Sequence, residues 1–382
     1  MSSTLHDNDK ALLHSWQEEQ HSVASQVVVP EYSAAPHQAI ITQTSGRYAQ
    51  LSSYNNNAGQ TTGKKNYLLI GGVDVSFPGD EANEDAVAVY VILKYNTTNS
   101  SSDNDHSNGI LLSSPHQPDV VYRSHKYYKL TTPYIPSYLA FREIDPLLEL
   151  ITQQCESKPH LTPNVILVDG NGQWHDRYAG LACFVGVKSG IPTVGVGKTF
   201  YSLDNEMKKS DVLIDVKQSV QCWYDAHCKH EGLLSTKSDD KGCRSSVIVV
   251  DNESIRYSTK MEEAEQQSTN LTAYEDMLMK LHQVCGGLAI PMRSGKNQND
   301  TVLAYALVGH GGNDPTNNGS GSSNKKNDQS RGSKNPIYIS CGSHISLLDA
   351  VYLVACTSIV RIPEPIREAD LHGRQLLRDQ KN

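Results

Sequence analysis

Residues 67–77 read YLLIGGVDVSF, an apolar run rich in branched side chains that carries one acid, Asp74, near its end. A run this apolar predicts a central strand buried on both faces. AVAVYVILKY at 86–95 and VVYRSHKYYKLT at 120–131 predict two more strands, and three consecutive strands pair antiparallel most simply. Further along, NVILVDG at 164–170 is again apolar enough to be buried on both faces, and PTVGVGK at 192–198 is a fifth strand. Between them RYAGLACFVGVKSG, residues 177–190, reads as a helix ending at Gly190 in the C′ position. Strand, helix and strand in alternation predict βαβ crossovers and parallel pairing. The fold class is therefore α/β, a mixed sheet flanked by helices.

Outward from this centre, Leu13, Trp16, Val23 and Val27 recur near helical spacing and predict an N-terminal helix over Leu12–Val29. Asp145 reads as an N-cap, with Pro146 at the first helical position, opening a helix through LLELITQQC. SSVIVVD at 245–251, TVLAYALVG at 301–309 and PIYISCG at 336–342 read as strands. MEEAEQQSTNLTAYEDMLMKLHQVC at 261–285 and HISLLDAVYLVACTSIV at 344–360 read as helices. Polar stretches from Tyr95 to Gly109 and from Gly309 to Asn335 have the composition of disordered insertions. The expected organisation is an N-terminal helix and polar linker (1–66, the linker running from Ser45 to Lys65), one domain over 67–372 with insertions at 96–118 and 309–335, and a charged tail at 373–382.

The 382 residues carry a formal net charge of −8 and a pI near 6.0. That excludes a generally basic nucleic-acid coat and leaves room for one local binding groove. Eight cysteines occur without a CxxC pair. Cys222, His227, Cys228 and His230 cluster at a spacing that fits no common zinc site, so a polar segment with reduced thiols is expected there. The opening residues, MSSTLHDNDKALLHSW, contain no apolar run of a signal peptide. No stretch approaches the roughly 18 apolar residues of a membrane span. The expectation is an intracellular protein of the cytoplasm or nucleus, the nucleolus included, that engages no membrane and leaves sequons such as Asn96 and Asn270 unglycosylated.

Three acids stand where acids are unwelcome. Asp74 interrupts LLIGGVDVSF, Asp169 ends VILV, and Glu143 lies among Leu139, Phe141 and Ile144. An ionised carboxylate near a core is costly unless it is paired or binds a cation. Three of them without an evident arginine partner point to a hard, oxygen-loving cation, and magnesium in phosphate chemistry fits that donor type. Taken singly, Asp169 also reads as a turn residue and Glu143 as a solvated helix position. Gly71 and Gly72 place small residues beside Asp74, where another backbone or a phosphate can approach. Asp169–Arg177, DGNGQWHDR, is a Gly-rich turn between strand and helix that can hold an anion. It also reads as an ordinary tight turn, and it is not a triphosphate-binding GxxxxGK loop.

Together, IGGVDVSF, PYIPSYLAFRE, ILVDGNGQWHDRYAGLACFVGV, PTVGVGK, and ISCGSHISLLDAVYLV followed by RIPEPIREADL resemble the endonuclease V family in content and order. Trp16 and Glu19 resemble the family's start. The resemblance implies an RNase H-like fold, with Asp74, Glu143 and Asp169 as metal-binding acids. It implies a wedge formed by Pro133, Tyr134, Ile135 and Pro136, with Tyr134 at the tip. It places Lys198 near the scissile phosphate and His175 and His344 along the site, with Asp349 nearby as a further ligand for metal or water. Gly71, Gly72, Gly170 and Gly172 would present backbone to a flipped inosine.

The implied activity is magnesium-dependent hydrolysis, with manganese as a substitute, of the second phosphodiester 3′ to inosine, leaving 3′-hydroxyl and 5′-phosphate ends. The implied partner is inosine-containing RNA, single-stranded or structured, and the protein is expected to be a monomer. Alternatives are a deoxyinosine-directed DNA repair endonuclease and a non-catalytic inosine-RNA-binding protein.

Overall fold

A computed structural model describes residues 7–31, 67–78, 84–99, 110–112, 118–203, 247–250, 255–258, 288–293, 302–308 and 335–380. The proposed linker, the Cys222–His230 cluster, the helix expected at 261–285 and most of both polar insertions lie outside these residues.

Helix α1 (Asp7–Gln26) comes first. Strands β1 (Tyr67–Ser76), β2 (Asp85–Asn99), β3 (Ile110–Leu112) and β4 (Asp119–Lys129) follow. Then come α2 (Ala140–Ser157), β5 (Val165–Asp169), α3 (Leu181–Ser189) and β6 (Thr193–Gly197). Strands β7 (Val247–Val250) and β8 (Ile255–Ser258) form a separate antiparallel pair. Last are β9 (Leu288–Arg293), β10 (Val302–Val308), β11 (Ile337–Ser343), α4 (Leu347–Thr357) and α5 (Glu364–Asp379).

The main sheet runs β3-β2-β1-β5-β6-β11-β10-β9, with β4 also paired to β2. The first strands are antiparallel, as the sequence predicts. The contacts β1–β5 and β5–β6 are parallel, as crossovers through α2 and α3 require.

Strand alternation divides the interior into two cores. Leu68, Ile70, Val89, Val91, Val165, Leu167, Val194 and Val196 face a layer that includes Val351 and Leu353 of α4 and Ile366 and Ala369 of α5. Leu69, Val73, Tyr90, Ile92, Ile166 and Val168 face the opposite layer, with Val23 of α1, Leu147 and Ile151 of α2 and Phe184 of α3. Burial on both faces is why these strands read as unbroken apolar runs. Helix α1 is thus part of the domain and not a separate N-terminal unit.

Three expectations are corrected. Helix α2 begins at Ala140, so Asp145 is not its cap and Pro146 lies inside it. Proline removes the N–H that would reach the carbonyl four residues back, and the Arg142 carbonyl accepts the Tyr128 hydroxyl at 3.3 Å instead. The insertion placed at 96–118 begins later than expected, because β2 continues to Asn99 and pairs with Ile110–Leu112. The charged tail is the last part of α5, whose charge content conceals an apolar stripe: Ile366, Ala369, Gly373 and Leu377 are buried. No helix among the described residues is long and apolar enough to cross a membrane.

Candidate active site

In open α/β sheets, ligands bind beyond the carboxyl ends of parallel strands. Asp74 and Asp169 sit near the ends of β1 and β5, one register step past the pairing of Val73 with Val168. The two carboxyl groups hydrogen-bond one another, and burial, that bond and the charge of Asp169 hold the Asp74 carboxyl well above the usual carboxylate range. Asp74 is 6% exposed, and the Ser76 hydroxyl donates to its Oδ2 at 3.1 Å.

Lys198, immediately beyond β6, places Nζ 2.5 Å from Asp169 Oδ2. Burial alone would lower the lysine's pKa, but Asp169 and Asp74 outweigh it and leave it raised, so the ammonium is retained. Arg361 fixes this corner by donating from Nη2 to the carbonyls of Lys198 at 2.5 Å and Pro336 at 2.9 Å.

Glu143 approaches the pair from a different element. Among the described residues, no three His, Cys, Asp or Glu side chains come together as a metal-holding group. The reason is topological. Glu143 stands on the first turn of α2, on the opposite face of the sheet from the α5 layer. It acts on the pair through charge: burial first, then Asp169, pushes its carboxyl up to about 8.

A further acid was not singled out from the sequence. Asp370 on α5 adds repulsion that raises Asp74 and attraction that raises Lys198, while its Oδ1 accepts from Arg374 at 2.9 Å. The signal that would have found it is the apolar period of α5, which places Asp370 directly after buried Ala369.

The donor chemistry fits a divalent cation. Two adjacent carboxylates, one of them buried, suit a hard ion with all-oxygen donors, and magnesium needs only one or two carboxylates, its other positions going to water and phosphate.

The expected glycine contacts divide. A Cβ on Gly72 would lie 2.1 Å from the Pro365 carbonyl oxygen, and one on Gly172 would lie 2.0 Å from that of Cys341. These two glycines admit the protein's own backbone, α5 against β1 and the Gly-rich turn against β11, and leave no space there for a phosphate. Gly71 faces Ile166, Tyr90 and Pro163. Among the described residues, Gly170, at φ 151°, has only the Leu181 side chain within 4 Å of its Cβ position, at 3.5 Å, and so keeps the most open flank of the four.

The two histidines have their own local partners. His175 is buried, and its Nδ1 accepts the Arg177 N–H at 3.3 Å, which puts the ring proton on Nε2, 3.0 Å from the Ser137 carbonyl. Burial, then Arg177, lowers its pKa to about 4. It is a neutral structural donor that stacks on Tyr201. His344 lies in the β11–α4 turn at φ 60°, with its N–H on the Val28 carbonyl at 2.6 Å; the structure gives it no hydrogen bond to the acid pair. Asp349 serves the start of α4: its N–H donates to the N-cap Ser346 Oγ at 3.1 Å, and its carboxylate accepts from the Ser346 hydroxyl at 2.5 Å.

The Pro133–Pro136 segment projects from the surface beside α2. Tyr134 is 67% exposed, and the Arg142 guanidinium lies over its ring at 5.5 Å.

A mixed sheet carrying carboxylates and a lysine at its parallel-strand ends defines a phosphodiester-cleaving enzyme of RNase H-like architecture. The comparisons specify which. The family described as Endonuclease V matches residues 99–224 and 321–371. The chain is 29% identical over 310 residues to human Endonuclease V, covering 81% of this chain and 71% of that one. It is 28% identical over 310 residues to mouse Endonuclease V, covering 81% and 60%. The crystal structure of human ENDOV superposes with a TM-score of 0.55 at 25% identity, over 97% of this chain and 100% of that one. Ciona intestinalis Endonuclease V, solved in complex with a 24mer DNA containing an inosine followed by a ribo-adenosine, has the same fold, with a TM-score of 0.53 at 21% identity over 97% of this chain and 99% of that one.

The chain is thus similar in sequence and in fold to the endonuclease V family, and this likeness indicates a nuclease.

Proposed function

We propose that this protein cuts strands at inosine, hydrolysing the second phosphodiester on its 3′ side, with magnesium as the working ion and single-stranded RNA as the preferred substrate. The observation that carries the reading is the Asp74–Asp169 pair with Lys198 at 2.5 Å, set beside an exposed aromatic on a proline-bracketed loop. A cation held by Asp74 and Asp169, within the field of Glu143 and Asp370, would supply Lewis acidity toward the phosphate and lower the pKa of attacking water.

The chain's own residues do the rest. Lys198 places a fixed positive charge where negative charge grows on the phosphate. Asp169 holds that ammonium in place. Tyr134 offers a stacking face for the gap left when a base leaves the strand, and Gly170 gives the extruded base an approach to backbone. The preference for RNA is supported by the Ciona relative, whose bound strand carries a ribonucleotide directly after inosine; a 2′-hydroxyl is what distinguishes RNA from DNA at one nucleotide.

The test is cleavage of matched strands carrying inosine or adenosine, each as RNA, as DNA, and as DNA with one ribonucleotide 3′ to inosine, in magnesium. The expected result is cutting of inosine strands containing a ribonucleotide, with adenosine strands cut at least ~100-fold more slowly, as a site built around one base's hydrogen-bonding edge discriminates. Equal cutting of inosine and adenosine would overturn the specificity. Equal cutting of all-DNA and RNA strands would overturn the sugar preference and favour a DNA repair enzyme. Binding without cutting would favour a non-catalytic inosine binder.

A further inference from the structure

Ser137 closes the exposed Pro133–Pro136 segment with φ at 69°, a left-handed conformation that side chains other than glycine adopt rarely. The surroundings over-determine it. Its carbonyl oxygen accepts from Gln20 Nε2 at 2.8 Å, His175 Nε2 at 3.0 Å and Arg177 Nη2 at 3.0 Å. Its hydroxyl donates to Asp176 Oδ2 at 2.6 Å, the same atom that accepts from the Tyr201 hydroxyl at 2.6 Å. Gln20 Oε1 in turn accepts from Arg177 Nε.

Gln20 is on α1 and fully buried, 117 positions from Ser137 in the chain. A buried amide on a helix is costly unless both of its ends are satisfied. Here one end is spent on the Ser137 carbonyl and the other on Arg177, so the whole amide is committed to this loop. Its helix neighbours hold the next residue. Gln17 Nε2 donates to the Tyr138 hydroxyl at 2.8 Å, the Trp16 and Tyr138 rings lie 5.7 Å apart, and Arg177 lies over the Tyr138 ring at 4.4 Å. Trp16 also stacks on Phe141 at 4.9 Å. The loop thus has a fixed base at Ser137 and Tyr138 and an exposed tip at Tyr134. The apolar docking of α1 runs through Trp16, Val23 and Ala24, apart from the polar network aimed at the Ser137 carbonyl.

Forcing an aromatic between stacked bases must overcome their stacking, and a loop that yields under that load would relax instead of opening the strand. We propose that Gln20, with Arg177, is a positioning pair that braces Ser137 so that Tyr134 can enter a stacked strand. This rests on the function proposed above. The demand on the brace grows with the stacking it must break, so losing it should matter most where the neighbours of inosine stack strongly.

The experiment compares the wild type with Gln20→Glu, which keeps the size and the acceptor toward Arg177 but loses the donor to Ser137. Tyr201→Phe, a milder change at the same anchor, serves as the second variant should Gln20→Glu fold poorly. Two RNA strands are used, with inosine flanked by adenosines (strongly stacked) or by uridines (weakly stacked), and 2-aminopurine fluorescence beside inosine reports unstacking on binding.

For Gln20→Glu we expect about tenfold or greater loss of kcat/KM on the adenosine-flanked strand, as small misplacements of positioning groups produce, with a much smaller loss on the uridine-flanked strand and a reduced fluorescence rise. Tyr201→Phe should show the same contrast at smaller amplitude. Equal losses on both strands, or an undiminished fluorescence rise in either folded variant, would overturn the positioning role. Failure of the wild type to prefer inosine over adenosine would instead overturn the proposed function.

Discussion

Asp74→Ala loses cleavage by at least ~1000-fold in single-turnover assays, at or beyond what removal of one preorganised charge-stabilising group costs, while its metal-free form is as stable as the wild type or more so. The two halves of this expectation share one cause. Asp74 is buried against Asp169, so in the metal-free protein it destabilises the fold unless it is protonated. Alanine removes that repulsion and with it half of the cation site. Thermal unfolding with and without magnesium separates these effects: the wild type gains stability on adding the ion, and the variant gains little.

The pH dependence follows the same logic. Glu143 has its folded pKa raised to about 8 from a reference of 4.5, so its protonated form contributes stability at low pH that is lost as pH rises toward 8. Metal-free wild type should therefore weaken across that window. An Asp74→Ala enzyme with full activity would contradict the role given to the pair.

Gly72→Ala costs about 3 kcal/mol or more, at the upper end of what overpacking a close-packed core produces. The added methyl would meet the Pro365 carbonyl at 2.1 Å and the Pro365 carbonyl carbon at 2.2 Å, backbone atoms that cannot rotate aside. Pro365 opens α5, so the clash lifts the helix that covers β1 and carries Asp370 toward the site. Denaturant unfolding measures the loss. Gly71→Ala is the useful contrast, because its new methyl would meet the side chains of Ile166 at 3.0 Å and Tyr90 at 3.1 Å. If Gly72→Ala is as stable as the wild type, α5 is not seated on β1 as described.

The central sheet was legible because its strands are buried on both faces, and an unbroken apolar run such as Leu68–Val73 has few alternatives in a soluble domain. The acids were legible for the complementary reason: Asp74 and Asp169 break such runs. What the sequence hid is what depends on contacts across the sheet. Glu143 looked equivalent to the two aspartates in a linear reading, yet it is delivered by a helix on the other face. Gly72 and Gly172 looked like space for a ligand and are filled by Pro365 and Cys341, one of them nearly 300 positions away along the chain. His175 carried the chemistry of a catalytic residue, but its ring is tied to Ser137 and Arg177.

Helix α5 was obscured by composition, since charge on three sides masks the single apolar stripe through Ile366, Ala369 and Gly373. Helix α2 was misread at its start because proline there is tolerated: the Tyr128 hydroxyl supplies the hydrogen bond that Pro146 cannot.

The pairing of Asp74 with Asp169 around one divalent ion is tested most directly by locating manganese, as a magnesium substitute, from its anomalous scattering in crystals of the active protein. A peak bridging the two carboxylates, with oxygen distances near ~2.1 Å, is the expected result. Full occupancy elsewhere, with those two side chains still bonded to each other, to Ser76 and to Lys198, would contradict it.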